Sequence, residues 1–144
     1  MSTVLHIDLV SLVGSWRLVS HGMTFTDTDE RVELFGPAPD GRMVLASTGR
    51  IMFLLTKPGR QPAANDAERA VLFTELTAYT GMVRPDGPGR FITAIDVAAN
   101  PAWTGHQLRL FNIEGNRLTI EVPPQPHPRF AGRIIVGDIV FVRE

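Results

Sequence analysis

The sequence predicts an all-β fold: an up-and-down antiparallel β-barrel of eight to nine strands, with a short N-terminal helical turn and one covering helix. Short apolar segments with period-two alternation recur along the chain and are separated by turns containing Gly or Pro. Only one longer stretch has helical spacing. Residues 12–20 place Gly14 before a strand that opens with Trp16, which is typical of the first strand of a small closed barrel. Such a strand count favours a barrel over a sandwich.

Length and composition limit the possible classes of protein. A chain of 144 residues fits a single domain over residues 1–144, which buries roughly two thirds of the surface that its unfolded form exposes. The net charge of -1 gives no general attraction to nucleic acid or to an anionic membrane. Cysteine is absent, which excludes disulfides, thiolate metal sites and cysteine nucleophiles. With no leader and no apolar membrane span in the sequence, we expect a soluble, cytoplasmic protein.

The N-terminal part predicts a plug followed by the first strand. Residues 8–12 resemble one helical turn with Asp8 as its N-cap, which would close one end of the barrel. The first strand is predicted over residues 15–25, with Trp16 lying across the barrel floor. Period-two alternation then points these residues inward: Leu18, Ser20, Gly22 and Thr24. The same alternation points the intervening side chains outward: Arg17, Val19 and His21.

The middle of the chain predicts a short strand, a hairpin and a helix. A short strand is predicted over residues 31–35, and strands over residues 43–47 and 51–56 are joined by a turn at Thr48-Gly49. The two hairpin strands are apolar on both faces, which predicts a helix covering them outside and core or cavity inside. Asn65 and Glu68 form a variant capping box that starts a helix ending near residue 76. Its apolar positions should cover the barrel or its mouth: Ala67, Ala70, Val71 and Phe73.

Five further strands are predicted, over residues 78–84, 91–97, 107–113, 117–122 and 134–143.

Motifs for metal, nucleotide or acyl chemistry are not found. The four histidines are too far apart for ligand pairs and are expected on the surface: His6, His21, His106 and His127. No glycine-rich loop has phosphate-binding spacing, and no Gly-x-Ser-x-Gly occurs. We therefore predict neither a metal nor a cofactor.

Several fragments in order resemble one known family. They read LVGSWRLVS at 12–20, FGP at 35–37, DGR at 40–42, AYTG at 78–81, NPAWTG at 100–105 leading into QLRLF at 107–111, and GNRLT at 115–119. Together they are similar to the bacterial and fungal lipocalin-like domain family over nearly the whole chain. The resemblance implies a calycin-type barrel with an apolar cavity, and some related barrels of natural-product pathways act as cofactor-free cyclases or isomerases.

The resemblance also bears on individual residues. In other lipocalins a basic residue near the end of the last strand stacks over the opening tryptophan, which implies that Arg143 lies over Trp16. Relatives often carry histidines on the strand after the long turn. This chain has Thr93-Ala94-Ile95-Asp96 there, so chemistry that needs an imidazole at that place is in doubt.

The strand over residues 107–113 leaves two orientations open. Gln107, Arg109 and Phe111 share one face, whereas Leu108 and Leu110 share the other. Either face can point into the barrel. Outside, Arg109 would form a surface ion pair. Inside, it would need a carboxylate partner or an anionic ligand group, because an unpaired buried guanidinium costs several kcal/mol.

Three polar residues are the candidates for catalysis. Asp96 is the expected partner of an inward Arg109, and as a buried acid it would serve as a general acid or base. Tyr79 would donate to a ligand carbonyl. The candidate catalytic residues are therefore Arg109, Tyr79 and Asp96.

The soft and aromatic residues predict an internal pocket. The candidate ligand-binding residues are Trp16, Ser20, Met43, Phe53, Met82, Phe91, Trp103, Gln107 and Phe111. The first hypothesis is a barrel that binds a small hydrophobic molecule in a cavity of roughly 300 Å³ or more. The alternative is a cofactor-independent cyclase or isomerase acting on a flexible natural-product-type substrate in the same cavity. A third is an interaction module that uses the Pro-rich residues 123–128. A homodimer remains open.

Overall fold

A computed structural model describes residues 7–144, with side chains described from residue 9 onward. The predicted cap Asp8 and the histidine at position 6 lie outside the described side chains. The elements are α1 (Ile7–Val10), β1 (Gly14–Phe25), β2 (Arg31–Glu33), β3 (Asp40–Leu45), β4 (Arg50–Thr56), α2 (Asp66–Thr74), β5 (Leu76–Pro85), β6 (Arg90–Ala98), a 3₁₀ turn (Pro101–Trp103), β7 (Gly105–Glu114), β8 (Arg117–Pro126) and β9 (Ile134–Arg143).

The strands form one antiparallel sheet that closes on itself. Their order is β2-β1-β3-β4-β5-β6-β7-β8-β9, and β9 also pairs with β1. Eight strands therefore form the ring, and the short β2 is an additional strand beside the second half of β1. The predicted fold class is confirmed, and the predicted bounds of β9 agree with the structure at both ends. No helix among residues 7–144 is long and apolar enough to cross a membrane.

A bulge in β1 changes which of its residues face the interior. Leu18 and Ser20 pair with successive residues of β9, so Val19 is an extra residue without a partner there. Beyond the bulge the buried side chains are His21, Met23 and Phe25. The prediction that Ser20, Gly22 and Thr24 face inward is wrong, because one inserted residue exchanges the two faces of a strand. The prediction of an exposed His21 is wrong for the same reason.

The floor of the barrel is built around Trp16. This side chain is fully buried, and its indole Nε1 donates to the backbone oxygen of Leu12 at 2.9 Å. The guanidinium carbon of Arg143 lies 4.1 Å from the ring centroid, which confirms the stacking implied by the family resemblance. Arg143 also donates to the backbone oxygens of Ser11 (2.7 Å) and Val13 (3.1 Å). The arginine thereby ties the last strand to the segment that closes the floor.

The helix α2 lies at the rim of the barrel. Asn65 Oδ1 accepts from Glu68 N at 2.9 Å, which confirms the predicted N-cap, while Glu68 Oε1 accepts from Ala64 N at 2.9 Å. None of its residues is buried, and Val71 and Phe73 remain about half exposed.

The outer faces of the β3–β4 hairpin are not covered by a helix. Val44, Met52 and Leu54 are all exposed on that side, so the predicted outer cover is wrong. The physical reason is the connection: α2 leads directly into β5 at the end of the barrel, so it stays at the rim rather than along the wall.

Candidate functional site

Four longer connections surround the open end of the barrel, beside the short β1–β2 turn at residues 26–30. They are residues 34–39 between β2 and β3, residues 57–75 including α2, residues 99–104 including the 3₁₀ turn, and residues 127–133 between β8 and β9. We call this end the mouth. The opposite end holds Trp16 and is closed by α1 and the tight turns. A small molecule would therefore reach the interior through the mouth.

An internal cavity of about 40 Å³ lies beneath the mouth. It provides space for about three water molecules, which is far below the predicted volume for a whole ligand. The side chains of the floor half fill the rest of the ring. The residues that line it are His21, Met23, Phe53, Leu55, Thr77, Tyr79, Ile95, Trp103, Gln107, Arg109, Val122, Gln125, His127, Ile135 and Ile139.

Two wider spaces adjoin this cavity at the mouth. One of about 380 Å³ is lined by Trp103, Gln107, Gln125 and His127 together with neighbouring Ala and Pro residues. Another of about 150 Å³ lies beside Phe73, Trp103 and His127. Since Trp103 and His127 line all three spaces, these two rings stand between the interior and the outside.

Arg109 is the cation of the cavity, and it points into the barrel. It is 8% exposed, and its Nη1 donates to the backbone oxygen of Leu108 at 2.8 Å and to Gln125 Oε1 at 3.2 Å. The open question about the two faces of β7 is thus answered in favour of the arginine face. Among the described residues, no carboxylate lies within 4.0 Å of the guanidinium. Its partners are neutral groups.

Tyr79 adjoins this guanidinium. Its ring packs against Phe53, with centroids 4.9 Å apart, and faces Trp103 at 6.3 Å. Burial raises the pKa of the Tyr79 hydroxyl, and the charge and hydrogen bond of Arg109 oppose part of this rise. The hydroxyl is therefore a neutral donor at physiological pH.

Two histidines of the cavity are neutral. Burial, followed by the repulsion that a protonated His21 would feel from a protonated His127, lowers the pKa of His21 to about 3. Burial, followed by the charge of Arg129, lowers the pKa of His127 to about 4. His21 Nδ1 is buried without a hydrogen-bond partner, whereas His127 Nδ1 accepts from Arg129 N at 3.1 Å. The surface position predicted for His127 is wrong.

No group of three metal-ligating side chains occurs in the part of the chain that the structure describes.

Asp96 does not join Arg109. Its side chain is 51% exposed on the outer face, where Asp96 Oδ1 lies 2.8 Å from Arg50 Nη1. This direction follows the alternation of β6, in which Phe91, Thr93 and Ile95 are the buried residues and Asp96 is on the other face. The prediction of a buried acid paired with Arg109 is wrong, and the described lining of the cavity contains no carboxylate.

The other candidate residues divide into three groups. Phe53, Trp103 and Gln107 line the cavity, together with Arg109 and Tyr79. Buried in the core away from the cavity are Trp16, Met43 and Phe91, with Phe111 packed 5.8 Å from Phe91 between ring centroids. Facing outward are Ser20, opposite Val140, and Met82, which is 37% exposed. The predictions for these last six as cavity residues are wrong, because packing and strand bulges place them elsewhere.

Sequence reasoning missed the residues at the mouth end of β8 and in the second half of β1. His21, Met23, Gln125 and His127 line the cavity, yet their positions depend on irregular strand pairing. Register shifts occur at Leu18/Ser20 and at Val122/Gln125. A glycine or proline near a shift was the only local signal, and it does not say which face the next side chain takes.

The fold and the site together define a class of protein. A ring of eight antiparallel strands, closed by an indole at one end and open over buried polar groups at the other, is a lipocalin-type barrel. The sequence model described as the lipocalin-like domain matches residues 13–136, and the chain belongs to this family. A comparison with curated proteins finds no match. The lipocalin-like barrel suggests ligand binding as its general role.

Proposed function

We propose that the protein binds one small, mainly apolar molecule at the mouth end of the barrel. The apolar body would lie beside Trp103 and His127, and the polar end would reach the inner cavity beside Tyr79 and Arg109. The observation that carries the proposal is the continuity of these linings: Trp103, Gln107, Gln125 and His127 belong both to the inner cavity and to the wider space of about 380 Å³ outside it. Pockets of this size with a few converging polar groups are typical of small-molecule sites.

Native mass spectrometry of freshly purified protein tests this proposal directly. We expect a mass increment from a co-purified apolar molecule, or saturable binding of 1-decanol in calorimetry. Trp103→Ala removes an aromatic wall of the site and should weaken that binding by about tenfold. Met82→Ala is the matched control, since Met82 lies on the outer face. Equal affinity of the Trp103→Ala variant and the wild type, with no co-purified molecule, would contradict the proposal.

A cofactor-free cyclase or isomerase is the second candidate. The observation that favours it is the convergence of the Tyr79 hydroxyl and the Arg109 guanidinium on one cavity, where both would donate to a substrate carbonyl. The described lining contains no carboxylate base, so proton transfer would fall to Tyr79 or to a neutral imidazole.

The two candidates differ in the fate of the bound molecule. A binder returns a co-purified molecule chemically unchanged after hours with the protein, whereas an enzyme converts it, and Tyr79→Phe then abolishes the conversion. Asp96→Asn is the control, since this carboxylate is on the outer face. Recovery of the unchanged molecule from both wild type and Tyr79→Phe would exclude the enzymatic candidate for that molecule.

A further inference from the structure

We propose that the polar end of the bound molecule is a carboxylate, which enters the inner cavity and pairs with Arg109. This inference rests on the proposed binding function. It names the chemical class of the ligand as an amphiphile with a single carboxylate head and an apolar body.

The interior of the barrel holds a positive charge that no described carboxylate of the cavity lining balances. Arg109 is 8% exposed, its side-chain hydrogen bonds go to Leu108 O and Gln125 Oε1, and the neutral phenol of Tyr79 adjoins it. All are neutral groups. The described residues that line the cavity include no Asp or Glu, and its imidazoles are uncharged at neutral pH. A buried guanidinium without a counter-ion is unfavourable, and an anionic ligand group would supply the missing charge.

Several hydrogen-bond donors line the same cavity. Arg109 carries five N–H donors in a planar fork that matches a carboxylate. The Tyr79 hydroxyl and the amides of Gln107 and Gln125 belong to the same lining. His21 is 3% exposed, and its Nδ1 has no partner in the protein. An acceptor with two oxygens would satisfy several of these groups together.

The volumes of the inner cavity and of the adjoining space fit the head and the body of such a molecule. The inner cavity of about 40 Å³ accommodates about three water-sized atoms, which corresponds to a carboxylate and not to a bulkier phosphate or sulfonate. The adjoining space of about 380 Å³ is large enough for an apolar body. The head therefore lies inside and the body lies at the mouth, beside Trp103 and His127.

Isothermal titration calorimetry of the full chain with three probes of equal chain length tests the inference. The probes are decanoate, 1-decanol and decyltrimethylammonium at neutral pH. We expect decanoate to bind at least about tenfold more tightly than decanol, because a hydrogen-bonded buried charge pair contributes more than a neutral contact. The cationic probe should bind most weakly.

Arg109→Met provides the variant test. It removes the charge while keeping an unbranched side chain, so the affinities of the variant for decanoate and decanol should become about equal. Arg84→Gln is the matched control, since Arg84 is an exposed arginine of β5 and its loss should leave the preference unchanged. The wild-type comparison of probes decides the question even where the variant does not fold.

The outcomes separate the two levels of the proposal. Equal binding of decanoate and decanol to the wild type would overturn the carboxylate inference and leave the binding function standing. A decanoate preference that survives in Arg109→Met, or that is lost equally in Arg84→Gln, would overturn the role of Arg109. Absence of binding by every probe, with no co-purified molecule, would overturn both the binding function and this inference.

Discussion

The two ends of the barrel are built from the same strands but use their buried polar groups differently. At the floor, the indole N–H of Trp16 is paired with Leu12 O, and Arg143 is stacked on the ring and bonded to two backbone oxygens. At the mouth, Arg109 is buried without a carboxylate, and His21 Nδ1 has no partner. The polar groups of the floor are therefore satisfied by the protein alone, whereas the mouth has polar groups that the protein does not satisfy. Buried polar groups that lack hydrogen-bond or charge partners inside a cavity are typical of a binding site.

The largest expected effect is the difference in stability between an alanine variant of Trp16 and an alanine variant of Trp103. Trp16→Ala should lower the free energy of unfolding by about 4 kcal/mol, because it deletes a fully buried aromatic side chain from the floor. Trp103→Ala should cost much less stability, since Trp103 is only partly buried. Chemical denaturation monitored by circular dichroism measures both. Similar losses in the two variants would refute the distinction between a packed floor and an open mouth.

The next expected effect is a dependence of stability on pH, which arises from the two buried histidines near the mouth, His21 and His127. The pKa of His21 is about 3 and that of His127 about 4 in the folded protein, against 6.5 for an unperturbed imidazole. The unfolded chain therefore binds more protons below pH 6.5, and the free energy of unfolding should fall as the pH drops from about 6.5 toward 4. The fall is at most about 1.4 kcal/mol per pH unit for each imidazole, so over one pH unit it is smaller than the loss expected for Trp16→Ala.

Denaturation curves at several pH values check this expectation with two variants. His21→Phe should reduce the slope between pH 6 and pH 4, since one of the two neutral imidazoles is removed. His106→Asn is the control, because His106 is exposed at the start of β7. A slope that is unchanged in His21→Phe would show that this histidine is not held neutral by burial.

The smallest effect concerns the outer wall. Asp96→Asn breaks an exposed ion pair with Arg50, and such pairs contribute less than about 1 kcal/mol. The variant should bind decanol and decanoate with the affinity of wild type. A loss of binding in Asp96→Asn would mean that the outer wall is coupled to the cavity, in conflict with the separation of these surfaces.

The fold was largely predictable because it depends on repeated local signals. Each of the nine strands was expected within a few residues, since alternation and turns recur along the whole chain. The position of Trp16 on the floor was also predictable, because a large aromatic after a turn glycine has few other places in a small barrel. The Asn65 cap followed from local hydrogen-bonding chemistry.

The site was less predictable because it depends on single inserted residues. The bulge at Val19 turns His21 inward, against the alternation on which the prediction depended. This insertion has no sequence signal that a period of two can detect. Asp96 follows the alternation of β6 to the outer face, and the prediction that it pairs with Arg109 had no support from that alternation. The volume of the cavity could also not be predicted from the sequence, since it is set by how Met23, Phe53 and their neighbours pack together in three dimensions.

A crystal structure of the protein with decanoate tests the central claim most directly. We expect the carboxylate in the inner cavity, with an oxygen within hydrogen-bond distance of the Arg109 guanidinium and the alkyl chain at the mouth, beside Trp103 and His127. A chain bound on the outer wall, or bound with its carboxylate in solvent and its methyl end toward Arg109, would contradict the account.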